Sequence, residues 1–216
     1  MSLLTGPSHP PRTGSKPGRI VVLLHGLGAD GRDLIQLAPE LARHLPDAVF
    51  YAPDAPEPCD MAPVGRQWFS LRDMRPETLA RGAERAAPLL DRYLDHLLAR
   101  HDLEPQRLGL VGFSQGAMMA LHVGLRRTAR LGAVAAYSGA LVAPERLAAE
   151  LKSRPPVLLV HGDADEVVPA ELMFAALEAL QRAEVPVQWL LRQGLGHGID
   201  PVGLDAGGRF LRDFLA

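Results

Sequence analysis

The sequence has almost no cysteine and very little lysine, and each shortage narrows what the protein can be. Cys59 is the only cysteine among 216 residues, so no intrachain disulfide can form and nothing indicates an oxidising compartment. Lysine occurs only twice, the many arginines are spread along the chain, and the net charge is −2. This balance predicts no general attraction to nucleic acid or to an anionic membrane surface.

The chain also lacks a long hydrophobic run. No apolar segment approaches the ~18 residues of a membrane-spanning helix. The N-terminus has no basic start followed by an apolar core, as a signal peptide would have. We therefore expect a cytoplasmic protein. Residues 1–19 are instead rich in proline and glycine and are predicted to form an arm, followed by a single domain over residues 20–216.

Short apolar runs alternate with longer amphipathic segments along that domain. Most of the short runs are rich in Val and Leu without polar alternation, which is typical of strands covered on both faces. The predicted strands are Ile20–Leu24, Ala48–Ala52, Leu108–Phe113, Ala133–Ser138, Val157–His161 and Val187–Leu191. The predicted helices are Asp33–His44, Glu77–Arg100, Gln115–Leu125, Pro144–Lys152, Pro169–Arg182 and Leu204–Leu215, with Pro88 expected to kink or divide the second.

This alternation indicates a three-layer α/β domain, in which helices flank a mostly parallel sheet. The linker between the fourth and fifth predicted strands has eighteen residues, too few for a large cap domain. In such sheets the reactive site lies beyond the carboxyl ends of the strands, so the loops there are where functional residues are expected.

Ser114 lies in one of these loops, in "GFSQG" (residues 112–116), between a predicted strand and a predicted helix. A nucleophile elbow requires this context, because the sharp turn exposes the hydroxyl and points helical N–H groups at a developing oxyanion. Glycines on both sides would relieve the crowding of the turn. The alternative is a glycine-rich turn with an idle serine.

A serine nucleophile needs a histidine base that a carboxylate orients. Five of the eight histidines fall in the arm or in helices, where a solvated or capping role is expected. His25, His161 and His197 each lie beside a glycine after a predicted strand. Only His197 follows both the serine and an acid-bearing loop, in the order Ser, Asp, His of hydrolases with this sheet. The acid loop "HGDADEVVP" offers three carboxylates that the residues alone do not distinguish: Asp163, Asp165 and Glu166.

Two other loops bear on the chemistry. His161 is expected to be a hydrogen-bonding loop residue, and together with Asp163 it lacks the second histidine that a metal site would need. After the first predicted strand, "LLHGLGADGRD" (residues 23–33) places three glycines within six residues, which suits half of an oxyanion hole. A phosphate-binding loop is the rival, but its lysine is missing; a plain turn is the other alternative.

Together "LLHGLGADG", "GFSQG", "HGDADEVVP" and "GHGID" resemble the phospholipase/carboxylesterase family of α/β-hydrolases, which includes the acyl-protein thioesterases. The resemblance runs from about residue 20 to the C-terminus and implies the α/β-hydrolase fold. It implies Ser114 as nucleophile, Asp165 as acid and His197 as base. The acid is Asp165 rather than Asp163 because the family's aspartate stands just before the Val-Val-Pro stretch.

The resemblance also implies a substrate site. The backbone N–H groups of Leu27 and Gln115 take the oxyanion-hole positions. Trp68, in "QWFSL", matches a residue that borders the acyl pocket and is implied to bind substrate. Ser70 stands where the thioesterases typically carry Asp, and this departure weakens a specific expectation of protein deacylation.

These residues predict a serine carboxylesterase that hydrolyses short-to-medium acyl esters through an acyl-enzyme on Ser114. The mechanism needs no cofactor and no metal, and the expected partner is a small-molecule ester; an esterase of this size is compatible with a homodimer. Acyl-protein thioesterase or lysophospholipase activity is the first alternative. The alternative from another class is a catalytically silent domain of the same fold that binds a ligand.

Overall fold

The computed structural model describes residues 3–215, and within them strands and helices alternate. The strands are β1 (Ser8–His9), β2 (Arg19–Leu24), β3 (Ala48–Tyr51), β4 (Glu57–Pro58), β5 (Arg66–Gln67), β6 (Leu108–Phe113), β7 (Ala133–Tyr137), β8 (Val157–Gly162) and β9 (Val187–Arg192). The α-helices are α1 (Gly31–Leu34), α2 (Ala38–Leu41), α3 (Pro76–His101), α4 (Gln115–Arg126), α5 (Leu147–Glu150), α6 (Glu171–Arg182) and α7 (Pro201–Phe214).

The central sheet has the strand order β1-β3-β2-β6-β7-β8-β9 and is parallel except for β1, which pairs antiparallel with β3. The predicted mostly parallel sheet is therefore confirmed. β4 and β5 form a separate antiparallel ribbon. With two residues each, β1, β4 and β5 are too short to produce a sequence pattern. The link from β7 to β8 contains α5 and no cap domain, as predicted.

Strand β2 explains why the sheet has helices on both faces. Ile20, Val22 and Leu24 point into the core beneath α3, α4 and α6. Val21 and Leu23, on the alternate face, point into the core beneath α2 and α7. All five side chains are fully buried, and burying each contributes about 1.5–3 kcal/mol. A continuous apolar run therefore specifies the middle layer of a three-layer domain.

Two helix predictions involve a proline inside the predicted helix. The predicted helix over residues 33–44 is two short helices, because Pro39 has no N–H to continue the ladder and the Ala38 N–H bonds to the Ile35 carbonyl in a tighter 3₁₀ turn. Pro88, which was expected to kink or divide α3, does not divide it, since the helix has 26 residues with Pro88 inside; the kink stays a prediction. A proline inside a helix costs about 3 kcal/mol, and the stripe of α3 residues buried on the sheet offsets that cost.

The arm lies along the edge of the sheet beside β3. The N–H groups of Ala52 and Asp54 donate to the carbonyls of Pro7 and Thr5, at 3.0 and 2.8 Å. The boundary between arm and domain at residue 19 stays a prediction. None of the helices within residues 3–215 combines the length and the hydrophobicity that a membrane crossing needs.

Candidate active site

Ser114 connects β6 to α4 in a strained turn. Its φ of 54° lies in a region that residues other than glycine rarely adopt. A Cβ on Gly116 would lie 1.9 Å from the Leu24 carbonyl oxygen, and one on Gly112 would lie 2.2 Å from the Gly116 carbonyl oxygen. Both glycines of the motif are thus required by direct backbone contact, and the turn presents Ser114 beyond the carboxyl end of β6.

His197 contacts both Ser114 and Asp165, although the three residues follow different strands. Its Nε2 lies 3.0 Å from the Ser114 Oγ, and its Nδ1 lies 2.8 Å from the Asp165 Oδ2. A carboxylate only accepts hydrogen bonds, so Nδ1 carries the proton and Nε2 is free to accept the Ser114 hydroxyl proton. The side chain of His197 is 19% exposed, which leaves the group accessible from solvent.

Asp165 is held in the ionised form by its hydrogen bonds. Its Oδ1 accepts the N–H groups of Val167 and Val168, each at 2.9 Å. Burial by itself raises the pKa of Asp165, but the bonds from His197, Val168 and Val167 outweigh burial and hold the pKa below its usual range. A negative charge is therefore fixed beside the Nδ1 of His197.

The neighbouring polar residues of the acid loop have other partners. Asp163 accepts the Gly194 N–H at 2.6 Å, and Glu166 is exposed. His161 is buried and donates from Nε2 to the Val168 carbonyl at 2.8 Å, so its expected hydrogen-bonding role is confirmed. The same nitrogen lies 3.3 Å from the Asp165 Oδ2. Of the three candidate carboxylates, Asp165 is the one that the structure brings to His197.

The loop that carries His197 is anchored on both sides. The Ser138 hydroxyl donates to the Gly198 carbonyl at 3.3 Å. Asp200 caps α7 by accepting the Gly203 N–H at 2.8 Å. It also accepts a hydrogen bond from the Arg192 Nε at 2.9 Å and forms an ion pair with the Arg192 Nη2 at 2.8 Å. Arg192 holds the pKa of Asp200 below its usual range, so this ion pair persists at neutral pH. These contacts keep the imidazole over Ser114.

One predicted oxyanion donor follows Ser114 directly in the chain, and the other belongs to the loop after β2. Gln115 is the first residue of α4, where N–H groups have no partner within the helix. Leu27 follows Gly26, on which an added Cβ would lie 3.2 Å from the Ser114 Cβ. Across residues 3–215, neither the Leu27 N–H nor the Gln115 N–H has a hydrogen-bond partner. Both are available to an anion next to the hydroxyl.

Sequence reasoning missed the side chains that connect these two donors. Gln115 is fully buried; its Oε1 accepts the Trp68 backbone N–H at 2.9 Å and its Nε2 donates to the Phe69 carbonyl at 2.6 Å. The Trp68 indole donates to the His25 carbonyl at 3.0 Å. Trp68 is only 1% exposed, and its predicted contact with the acyl chain stays a prediction. The sequence offered one signal for these residues: His25 directly follows the end of a predicted strand, and Gln115 directly follows the candidate nucleophile.

The candidate site has no neighbouring metal-binding arrangement. Among residues 3–215, the side chains of His, Cys, Asp and Glu form no group of three that could hold a metal ion. What the arrangement can do chemically is to deprotonate a serine hydroxyl and stabilise an oxyanion beside it.

Known proteins are similar to this chain over most of its length. Residues 12–215 match the Phospholipase/Carboxylesterase family. The chain belongs to that family. Its structure superposes on the crystal structure of esterase PE8 with a TM-score of 0.93 and 46% identity, over 99% of this chain and 100% of that one. The α/β-hydrolase fold and the predicted family are thus confirmed, and the chain is a serine hydrolase.

Two relatives have names that state different activities. Acyl-protein thioesterase 1 of Gibberella zeae is 28% identical over 208 residues, which cover 89% of this chain and 88% of the relative. A "probable inactive carboxylesterase" of Oryza sativa subsp. japonica is 27% identical over 223 residues, which cover 95% of this chain and 89% of the relative. Family membership alone therefore does not specify the substrate.

Proposed function

We propose that this protein is a serine carboxylesterase that hydrolyses short-to-medium acyl esters through an acyl-enzyme on Ser114. The observation that carries the proposal is the double contact of His197, which touches the Ser114 hydroxyl with one ring nitrogen and the Asp165 carboxylate with the other. The likeness to esterase PE8 supports the same reaction.

In the proposed mechanism, Ser114 attacks the ester carbonyl carbon while His197 Nε2 accepts the hydroxyl proton. The Asp165 carboxylate holds the imidazole tautomer and stabilises the imidazolium that forms. The N–H groups of Leu27 and Gln115 donate to the oxyanion of the tetrahedral intermediate. His197 then gives the proton to the departing alkoxide, and water repeats the sequence on the acyl-enzyme to release the acid.

The proposed substrate size rests on the absence of a cap domain over the site. A site without a lid desolvates only a few methylenes, each contributing up to about 0.8 kcal/mol, and further methylenes stay in water. The kcat/KM for p-nitrophenyl esters should therefore peak at short-to-medium acyl chains and then fall. A small-molecule ester is the proposed partner; the cytoplasmic location and the homodimer stay predictions.

Acyl-protein thioesterase activity is the second candidate, favoured by the Gibberella zeae relative. Against it stands Ser70, at the position where the resemblance leads us to expect Asp in a thioesterase. A palmitoylated peptide thioester, assayed beside the ester panel, distinguishes the two. Cleavage of the long-chain thioester without hydrolysis of short esters would favour the thioesterase.

The test of the hydrolase itself is a covalent adduct. Incubation with a fluorophosphonate should raise the intact mass by one phosphonyl group, and peptide mapping should assign it to Ser114. The Ser114→Ala variant is the matched control and should gain no mass. An unmodified wild-type protein that also leaves the esters intact would favour the catalytically silent alternative.

A further inference from the structure

The orientation of one oxyanion donor depends on a peptide group that His25 contacts. The Leu27 N–H belongs to the same peptide plane as the Gly26 carbonyl, and every described peptide bond is trans. In a trans peptide the C=O and N–H bonds point in opposite directions. Whatever anchors the Gly26 carbonyl therefore fixes the direction of the Leu27 N–H, in a loop that lies against Ser114: a Cβ on Gly26 would be 3.2 Å from the Ser114 Cβ.

The His25 ring provides that anchor. Its Nδ1 lies 2.7 Å from the Gly26 carbonyl oxygen, and its Nε2 lies 3.0 Å from the Ala55 backbone nitrogen. The Ala55 N–H is a donor and the carbonyl an acceptor, so Nδ1 carries the ring proton and Nε2 accepts. His25 is 0% exposed, and burial lowers its pKa, which keeps the ring neutral with this tautomer. The same carbonyl accepts a longer bond, 3.3 Å, from the Ala29 N–H.

The side chains of Trp68 and Gln115 connect this anchor to the second donor. The Trp68 indole N–H donates to the His25 carbonyl, one peptide group before the Gly26 carbonyl. Gln115 bonds the backbone of residues 68 and 69 from the first turn of α4, whose opening N–H is the other donor. All of these bonds are buried, where a hydrogen bond is stronger and a missing partner more costly than in water.

We infer that His25 is a positioning residue: by donating from Nδ1 to the Gly26 carbonyl, it aims the Leu27 N–H at the oxyanion that forms on Ser114. A hydrogen bond to a peptide carbonyl also polarises the peptide group, so its N–H becomes a better donor. The inference rests on the proposed esterase function, because it concerns a group that acts only when an oxyanion develops.

Two variants of His25 separate the two ring nitrogens. In His25→Asn the side-chain amide nitrogen takes the place of Nδ1 and keeps a donor for the Gly26 carbonyl. In His25→Gln the side-chain amide reaches the place of Nε2 and serves the Ala55 N–H, but leaves the Gly26 carbonyl without its donor. His25→Leu retains the volume without either bond. The readouts are kcat and KM for p-nitrophenyl butyrate, and the affinity for a trifluoromethyl ketone, which forms a hemiketal oxyanion on the serine.

We expect His25→Gln and His25→Leu to lower kcat by about 10–100-fold, since complete loss of one oxyanion donor costs about 10²–10³-fold. KM should change little, and affinity for the trifluoromethyl ketone should fall with kcat. His25→Asn should retain most of the wild-type kcat and ketone affinity, regardless of how the melting temperatures of the three variants rank. Equal kcat losses in His25→Asn and His25→Gln, or losses that follow the melting temperature alone, would overturn the inference.

The wild-type protein provides a test that needs no variant to fold. ¹⁵N chemical shifts of labelled histidine should show His25 protonated at Nδ1 and unprotonated at Nε2, and binding of the trifluoromethyl ketone should move the Leu27 amide proton downfield. A ring protonated at Nε2 contradicts the inference. If the wild type neither hydrolyses the ester nor binds the ketone, both the proposed function and the inference fail. If the wild type is active and the His25 variants are unaffected, only the positioning role is contradicted.

Discussion

The loops around His25 and His197 look alike in sequence, yet the two histidines differ in burial and in the groups that their ring nitrogens contact. Each histidine lies beside a glycine shortly after a strand of the parallel sheet. In the first loop both ring nitrogens of His25 bond to backbone groups and the residue is fully buried. In the second, the nitrogens of His197 face a hydroxyl and a carboxylate, and the side chain is partly exposed.

A general base and a structural histidine differ in how their ring nitrogens are used. A general base needs a free lone pair within reach of the proton that it accepts and a partner that stabilises its charged form. His197 has both, whereas the Nε2 lone pair of His25 is already used by the Ala55 N–H and burial disfavours its charged form. His161 resembles His25, since it donates to the Val168 carbonyl in a fully buried position.

The largest expected effect is on the candidate triad. Ser114→Ala, His197→Ala and Asp165→Asn should each lower kcat for an activated ester by about 10⁴-fold, the usual loss for triad members. Asp165→Asn acts by favouring the wrong imidazole tautomer. Steady-state kinetics and thermal unfolding check this, and the melting temperature should change little. Turnover near the wild-type level in His197→Ala would show that another group is the base.

Asp163→Asn is the matched control for the acid. The amide in this variant keeps a side-chain oxygen for the Gly194 N–H, which is the only contact that the structure gives the Asp163 carboxylate within residues 3–215. We expect the variant to retain most of the activity. Equal losses in Asp163→Asn and Asp165→Asn would remove the support for choosing Asp165.

At His161 we expect a smaller effect, which is on the stability of the fold more than on turnover. In His161→Ala the buried Val168 carbonyl loses its donor, which costs about 1–3 kcal/mol of unfolding free energy; each kcal/mol lowers the melting temperature by roughly 2–4 °C in a chain of this size. The fall in kcat should be far smaller than in the triad variants, because Asp165 loses only its 3.3 Å contact with His161 and keeps its bonds to His197, Val167 and Val168. Calorimetry and the ester assay measure both.

His161→Gln is the conservative variant, since its amide can still donate to the carbonyl and should restore part of the stability. Loss of turnover in His161→Ala at an unchanged melting temperature would show that His161 acts in the reaction and does not only stabilise the fold.

The last expected effect, on the pH dependence of stability, concerns His122, which corrects an expectation. A solvated or capping role was expected for a helical histidine, but His122 lies inside α4, is 4% exposed, and its Nδ1 has no hydrogen-bond partner within residues 3–215. Burial lowers its pKa to about 4. Between that value and about 6.5 the unfolded chain binds a proton that the folded chain does not, so stability falls as the pH falls through this range and levels off below it.

One such group contributes at most about 1.4 kcal/mol per pH unit. His122→Gln should therefore flatten the dependence of the unfolding free energy on pH, measured by urea denaturation at several values from neutral to acidic. An identical slope in the wild type and the variant would mean that His122 is not held neutral in the folded protein.

The parts of the fold that depend on local chemistry can be predicted from the amino-acid sequence. Unbroken Val- and Leu-rich runs specify strands buried on two faces, so the bounds of β6 match the prediction. "GFSQG" specifies a tight strand-to-helix turn because glycine alone tolerates the backbone contacts at positions 112 and 116. The chain order of serine, acid loop and histidine follows from the order of the strands, and this order identified His197 among the three loop histidines.

Which side chains come into contact depends on the tertiary structure. Asp163 and Asp165 are two residues apart and chemically identical, yet one accepts a backbone N–H and the other contacts His197, because the loops after β8 and β9 approach in only one geometry. The same holds for Trp68, which donates to the carbonyl of a residue 43 positions away. Periodicity and motif spacing carry no information about such distances. These distances depend on how β2, β6, β8 and β9 are placed in one sheet, since hydrogen bonds form only when donor and acceptor come within about 3 Å.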